Sequence, residues 1–519
     1  VYKRQIVLQL SCEFMEVGNI EILKSVEQEV EQVRGQLDGR VDDGLVVALS
    51  GSAAVGADML RSAAASIRNT ERFTIVLVIL ILALVYRAPM LVVVPLVTIF
   101  ISLLASMSIV ALLTQLSAVP GFSWWTLKVF STTRIFVVVI LFGAGTDYCL
   151  FLISRYKEEL RRGLDHTAAV SAALAHTGDA LLASALTTVL GLSMMFFADF
   201  GKFCYSGPVI GLCLTITLIT CVTFTPAIMA ALGPALFWPF NPISAETKIP
   251  AVRQRSESSP LASSIWQWLA RLIVTRPGLL LIVSVTIMLP FAGYGALRGR
   301  QVTYDFLSGL PVGSPSRQGA EVLRRHYPVG ESGPVTVLLQ RDQAQFNTPQ
   351  GRERLREAAA HLHLAGVESV RSAEDPLGQY GPDENPSIVS ARGRRLRILR
   401  AHPRTKAIFV AQVPELEGNV ARFELVLQFD PFSLEAVQTV DRVEQAMRNL
   451  TSEDGSFWQN AQFALAGTTA AIRDLRTVTS RDNIRIQILV VLVVFVVLLL
   501  ILKRPAVCAY MMAVSYTHP

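Results

Sequence analysis

One carboxyl group stands in the middle of a long apolar run: Phe136-Val-Val-Val-Ile-Leu-Phe-Gly-Ala-Gly-Thr-Asp-Tyr-Cys-Leu-Phe-Leu-Ile-Ser154. Asp147 is followed by Tyr148 and preceded by Gly143, Ala144 and Gly145. A carboxylate at the centre of a spanning helix costs roughly 2.5–3.5 kcal/mol on insertion scales. Chains carry such a group where it faces a bundle interior and handles protons or ions. Burial disfavours the charged form, so a proton can come and go there. Tyr148 can donate a hydrogen bond to the charged form or complete a relay. The alternative is a structural aspartate bonded to a neighbouring helix.

Other polar residues sit near or inside apolar segments. Ser184, Thr187, Thr188 and Gly191 recur at helical spacing and form one small, polar face that could support Asp147, or simply allow close helix packing. Gly143, Gly145 and Gly191 are read as packing positions. Asp199 and Lys202, at one end of a span, fit interfacial capping better than a proton exit, and Asp58 and Asp474 read as solvated or capping groups. His361 and His363, two apart on an expected helix, point to different faces and make a poor metal pair. The sequence contains no GxxxxGK[ST], GxSxG or HExxH, which argues against an ATP-driven pump or a hydrolase. This reading needs no cofactor and no metal.

The composition must then supply the helices that hold these groups. Of 519 residues, 51% are hydrophobic and 17% charged, and the mean hydropathy is +0.44, which places the chain among membrane proteins. The net charge of +6 comes from Lys and Arg lying between apolar spans, so membrane orientation explains it without a nucleic-acid partner. Most of the six cysteines (Cys12, Cys149, Cys204, Cys213, Cys221 and Cys508) fall in or beside apolar spans, and their spacing indicates no disulfide framework.

Runs approaching spanning length occur at about 73–86, 90–113, 135–154, 180–198, 207–232, 278–297 and 486–502, and another begins after Pro505. Basic residues mark the segments 154–162 and 248–276 and the turn at Arg87-Ala-Pro89, against fewer in 114–133 and 199–205. The first set is therefore expected on the cytoplasmic side. By parity, the polar blocks before Arg72 and from Arg298 to Arg485 are expected outside. Ser263–Thr275, with Trp266, Trp268 and Arg271, is predicted to be an amphipathic interfacial helix after a flexible linker.

The sequence also repeats itself. Val47-Ala-Leu-Ser-Gly-Ser52 leads through Asp58 to a span closing at Arg87-Ala-Pro89, and Phe463-Ala-Leu-Ala-Gly-Thr468 leads through Asp474 to one closing at Lys503-Arg-Pro505. The paired positions keep one constant separation. Upstream, Val7–Leu10 with Asn19–Leu37 parallels Val426–Phe429 with Ser433–Leu450. Each unit reads as strand, helix, strand, helix and a run into the membrane, in split βαβ style, and such parallel repeats are a transporter signature.

These residues resemble a known group. Gly143–Glu159 resembles the fourth spanning helix of MmpL-type transporters of the resistance–nodulation–division (RND) superfamily, and Ala183–Gly191 resembles their fifth. Tyr304–Pro311 and Gly333–Leu339 resemble the start of their second extracytoplasmic domain. The resemblance implies a membrane α-helical bundle, part of a twelve-helix RND-like fold, with α+β extracytoplasmic porter domains. It also implies a second Asp-Tyr pair on a tenth helix.

On that reading, residues 6–70 end porter domain one, 71–232 hold helices two to six, and 233–277 are a cytoplasmic linker with the interfacial helix. Residues 278–297 are helix seven, 298–485 porter domain two, and 486–514 helix eight with the start of helix nine. Residues 1–5 and 515–519 resemble translated sequencing-adapter read-through, and the chain reads as a fragment. The expected function is proton-motive-force-driven export of lipids or other hydrophobic molecules from the bacterial cytoplasmic membrane. Protons, membrane and a lipid or hydrophobic substrate are the implied partners, and a homo-oligomer or a periplasmic partner is left open. Two rivals are a proton-driven protein-export accessory subunit and a sterol-sensing or receptor-like membrane protein.

Overall fold

The computed structural model describes residues 6, 8, 10, 18–37, 47–86, 88–238, 268, 270–298, 309–381, 384, 386–387 and 389–517. Several expectations lie outside the described residues: the linker at 239–262, most of the interfacial helix (263–267 and 269), the segment 304–308, Val7 and Gln9, and residues 1–5 and 518–519 of the ends.

The helices run α1 (Gly18–Leu37), α2 (Ser52–Tyr86), α3 (Pro89–Gln115), α4 (Ser131–Arg161), α5 (His166–Ser193), α6 (Gly201–Leu232), α7 (Pro277–Arg298) and α8 (Pro315–His326). A sheet-bearing stretch follows: β1 (Val335–Gln340), α9 (Pro349–Leu362), β2 (Val367–Arg371), α10 (Ala391–Ala401), α11 (Pro403–Phe409), β3 (Val420–Leu427), α12 (Leu434–Ser452) and β4 (Gln462–Ala466). The last helices are α13 (Thr468–Leu502) and α14 (Pro505–Thr517), the latter taking in 515–517 of the suspected tail. Two compact units result, one of Val1–Ser66 with Thr303–Thr477, the other of Ile67–Val302 with Val478–Pro519.

Six described helices are long and apolar enough to cross a membrane: Pro89–Ala118, Thr132–Arg161, His166–Phe197, Gly201–Leu232, Pro277–Gly295 and Thr468–Leu502. A seventh apolar stretch, Arg72–Leu84, is shorter and lies within the longer α2. The expected basic segment after Ser154 is not a loop. It forms the last two turns of α4, where Arg155 and Arg162 bind Glu159, whose side chain is 3% exposed, at 2.7 and 3.1 Å. Cations suit a helix C-terminus, where unsatisfied carbonyls carry partial negative charge.

Within the helical unit, α3, α4, α5 and α6 pack around Leu91, Tyr148, Leu152, Tyr156, Leu214 and Met229. Small hydroxyl side chains line the closest approaches. Thr98 meets Thr225 at 3.1 Å, Ser102 meets Thr217 at 2.7 Å and Thr133 meets Ser206 at 2.6 Å, all buried. Hydrogen-bonding small residues draw helices together where no hydrophobic drive separates helix from lipid. Gly207 is the tightest point: a Cβ there would lie 2.4 Å from the Leu192 carbonyl oxygen.

The other unit holds a four-stranded antiparallel sheet in the order β2-β3-β1-β4. With α9 between β1 and β2 and α12 between β3 and β4, this is the βαββαβ, ferredoxin-like arrangement of two split βαβ units. Apolar residues alternate inward along β1, where Val335, Val337 and Leu339 are fully buried, and meet Phe423, Leu425, Val440 and Trp458. The expected first-repeat strand at 47–50 is not formed. Those residues are exposed or half-buried without strand pairing, and no strand is described beside them.

The repeat has a backbone counterpart. Gly51 and Gly467 take left-handed φ values of +112° and +114°, which glycine adopts without a Cβ clash. Each opens a helix of 35 residues, α2 and α13, and each of those is followed by a helix beginning at proline, Pro89 and Pro505.

Candidate functional site

Asp147 lies at the middle of α4, fourteen residues before its last residue, Arg161. At 1.5 Å per residue this is about 21 Å along the axis, close to mid-membrane depth. The two members of the Asp-Tyr pair face apart. Tyr148 is 5% exposed and packs into the four-helix core. Asp147 is exposed, on a stripe with Gly143, Phe151 and Ser154 that is open among the described residues. That spacing is one helical face. No hydrogen bond or ion pair joins Asp147 to another described residue.

The expected supporting face does not reach Asp147 here. Thr187 and Thr188 both donate to the Ser184 carbonyl, at 2.8 and 3.0 Å, and Ser184 and Thr188 are exposed. Of the three glycines read as packing positions, Gly145 is tight: a Cβ would come within 2.9 Å of Ile99 Cγ1. Gly191 would make an ordinary contact with Val490 at 3.7 Å, and Gly143 has open space within 4 Å. Behind Asp147, Cys149 lies 3.4 Å from the Thr225 hydroxyl and 3.8 Å from the Cys221 sulfur, so thiols and hydroxyls form a continuous buried polar seam with Thr98.

A carboxylate without any motif around it organises the end of the same bundle. Asp482 of α13 is 1% exposed, and its two oxygens accept the backbone N–H groups of Asp199 and Phe200 at 2.9 and 2.7 Å. Those amides immediately precede α6, where a helix start leaves donors unsatisfied and favours negative charge. Arg485, one turn on, donates to the Phe197 carbonyl and to the Asp199 carboxylate at 3.0 and 3.1 Å. Asp199, read as a capping group, is therefore itself held by the residues of a helix far along the chain. Only the charge of Asp482 at the head of an apolar run hints at it in the sequence.

In the sheet-bearing unit, Asp58 is a buried cap: 6% exposed, it accepts the backbone N–H of Ser316, the second residue of α8, at 2.9 Å. Asp474 is exposed and bound by Arg473 at 2.8 Å. His361 is exposed on α9, while His363 follows its end half-buried. Burial lowers the His363 imidazole from its ordinary value, with Asp375 opposing. Burial likewise raises the Asp375 carboxyl, against hydrogen bonds from the amides of Tyr380, Leu377, Gly378 and Gln379. Among the described residues no three His, Cys, Asp or Glu side chains gather as metal ligands.

Long apolar helices packed through buried hydroxyls, one with a carboxyl at mid-depth, define a multi-pass membrane protein. The family profile named MMPL matches residues 14–280 and 308–515, and the chain belongs to the MMPL family, whose members sit in the cytoplasmic membrane. It is 24% identical over 515 residues to the apo-petrobactin exporter of Bacillus anthracis, covering 96% of this chain and 61% of that protein. It is 30% identical over 336 residues to a protein of Mycobacterium tuberculosis H37Rv named "Probable transport protein MmpL12", covering 64% of this chain and 27% of that one. To "Probable transport protein MmpL8" of Mycobacterium bovis it is 28% identical over 339 residues, covering 64% and 28%. The chain thus spans less than two thirds of the length of these relatives.

Proposed function

We propose that this chain is part of a proton-motive-force-driven exporter of lipids or other hydrophobic molecules, with Asp147 as the group that takes up and releases the coupling proton. The single observation that carries the reading is the position of Asp147: mid-span, exposed on the packed bundle and without a hydrogen-bond or ion-pair partner among the described residues. Facing lipid, such a carboxylate would cost several kcal/mol, so the open stripe is a surface for other helices of the same transporter. A further helix with its own Asp-Tyr pair, as the resemblance implies, is the cover that suits it, within a twelve-helix protein. Tyr148 anchors α4 in the core beside it, and Ser184, Thr187 and Thr188 shape the neighbouring polar surface.

On this reading the ferredoxin-like unit is a porter module on the extracytoplasmic side that gathers substrate. Coupling has a physical scale: one charge moved through the membrane potential yields about 2.3 kcal/mol per 100 mV. Protonation from one side and release to the other can therefore bias two arrangements of the helices.

The test uses the full-length protein in proteoliposomes under an imposed pH gradient. Wild type should take up protons and move labelled lipid, and Asp147→Asn should lose both while remaining folded. Unchanged proton uptake in the mutant makes Asp147 structural and favours a receptor-like protein. One relative aligned over most of this chain is named for export of apo-petrobactin, so that compound is offered beside lipid. Its movement in place of lipid would keep the proton step and replace the substrate class.

A further inference from the structure

The sheet-bearing unit carries a surface of one sign of charge that the transport reading does not use. Between Ser390 and Phe409 the sequence has six arginines (Arg392, Arg394, Arg395, Arg397, Arg400 and Arg404) and Lys406, and no acidic residue. Elsewhere on this unit, surface helices balance their charges: α9 pairs Arg354 with Glu357 and Arg356 with Glu353, and α12 pairs Arg448 with Glu444. In α10 and α11 only Arg400 has an ion-pair partner among the described residues. Its Nε donates to the Glu374 carbonyl at 2.5 Å and lies 3.4 Å from the Glu374 carboxylate. Ser390 caps α10 by accepting the Gly393 N–H at 3.0 Å.

These anchors fix which way α10 faces. Gly393, Leu396 and Arg400 turn inward at helical spacing. The opposite face presents Ile398 between Arg394 and Arg395, all exposed, with Arg392 and Arg397 on its flanks. Ile398 is 69% exposed, and Ile408 on α11, next to exposed Arg404 and Lys406, is 50% exposed. Among the described residues, the Arg394 guanidinium donates only to the Val389 carbonyl, at 2.5 Å. Water-exposed aliphatic side chains beside cations that have no ion-pair partner among the described residues suit one environment in particular. An anionic bilayer surface offers phosphates to the planar forks of arginine and an acyl boundary to the isoleucines, while the arginine stems lie along the apolar layer.

We propose that the outer face of α10 and α11 docks on an anionic phospholipid surface. A soluble polyanion could satisfy the arginines but would leave Ile398 and Ile408 in water, which is why the lipid surface is the favoured occupant. Each basic residue near such a surface contributes enough for about a fivefold change in binding, so removing three should weaken it on the order of a hundredfold.

The experiment holds the full-length protein in nanodiscs of phosphatidylcholine and measures flotation with separate vesicles of phosphatidylglycerol or of phosphatidylcholine. Wild type should float with phosphatidylglycerol vesicles only, less so as salt is raised. The triple variant Arg394→Gln, Arg395→Gln, Arg397→Gln should lose about a hundredfold in vesicle affinity, with an unchanged circular dichroism spectrum. Ile398→Ser should also weaken binding, with all charges retained. No flotation, or equal flotation with both lipids, overturns the proposal. Binding that Ile398→Ser leaves intact, and that soluble polyphosphate competes fully, overturns it in favour of a soluble polyanion. None of these readouts depends on transport, so failure here leaves the role of Asp147 untouched.

Discussion

Removing the Asp482 carboxylate should loosen one end of α6 by an amount the geometry allows to be worked out. Asp482 is 1% exposed and accepts two amides, from Asp199 and Phe200, at 2.9 and 2.7 Å. A hydrogen bond to a charged group contributes about 1.5–3 kcal/mol net. Asp199 is exposed and Phe200 half-buried, so water can partly replace the acceptor, and the lower end of the range applies to each bond. Asp482→Ala should then cost about 3 kcal/mol locally. At 1.36 kcal/mol per tenfold, that is on the order of a hundredfold faster hydrogen exchange at these amides. Asp482→Asn keeps one carbonyl acceptor without charge, so a rise of about tenfold is expected. Arg485→Ala should do less, because the Arg485–Asp199 pair is exposed on both sides, and exposed pairs contribute about 0–1 kcal/mol. The assay is hydrogen exchange with mass spectrometry on peptides covering 197–205, with peptides from the middle of α4 as reference. Unchanged exchange at Asp199 and Phe200 in Asp482→Ala would refute the reasoning, as would acceleration spread evenly over α3 to α6.

Two further expectations concern packing and titration. Gly207→Ala places a methyl group 2.4 Å from the Leu192 carbonyl oxygen and from Met195 Cβ, so it should destabilise the helical unit by about 1–3 kcal/mol in thermal unfolding. His363, lowered by burial from 6.5, favours the neutral imidazole in the folded unit, so its contribution is present above pH 6.5 and is lost as pH falls through the lowered folded value. His363→Gln should flatten the loss of melting temperature as pH falls below 6.5. An equal acid response in mutant and wild type would remove His363 from the account. Asp375, raised by burial from 3.8, works in the opposite direction: its contribution is present below pH 3.8 and is lost as pH rises through the raised folded value.

Much of the architecture was legible because it depends on neighbours along the chain. Runs of apolar residues announce helices long enough to span, and the spans found at 90–113, 207–232 and 278–297 fall inside α3, α6 and α7. The expected helices Asn19–Leu37 and Ser433–Leu450 appear as α1 and α12. Edges were less legible. The apolar runs mark only the C-terminal part of α2, α5 and α13, because helical hydrogen bonding continues through polar residues that no hydropathy window includes. The run at 47–50 has strand composition but no partner strand among the described residues, and a strand is not a local property.

The candidate site divides in the same way. Sequence alone singled out Asp147 and Tyr148, since a charge inside an apolar run is visible without any fold. It could not say that the two would face apart, Tyr148 into the core and Asp147 onto an open stripe, because that depends on which face of α4 its neighbours cover. Nor could it find Asp482, whose partners lie 282 and 283 residues away, or the hydroxyl pairs Thr98–Thr225 and Ser102–Thr217, 127 and 115 residues apart. Hydropathy and helical period are sums over adjacent residues and are settled before the chain folds. Hydrogen bonds between distant residues exist only once packing has brought their helices together, and there the tertiary structure alone decides.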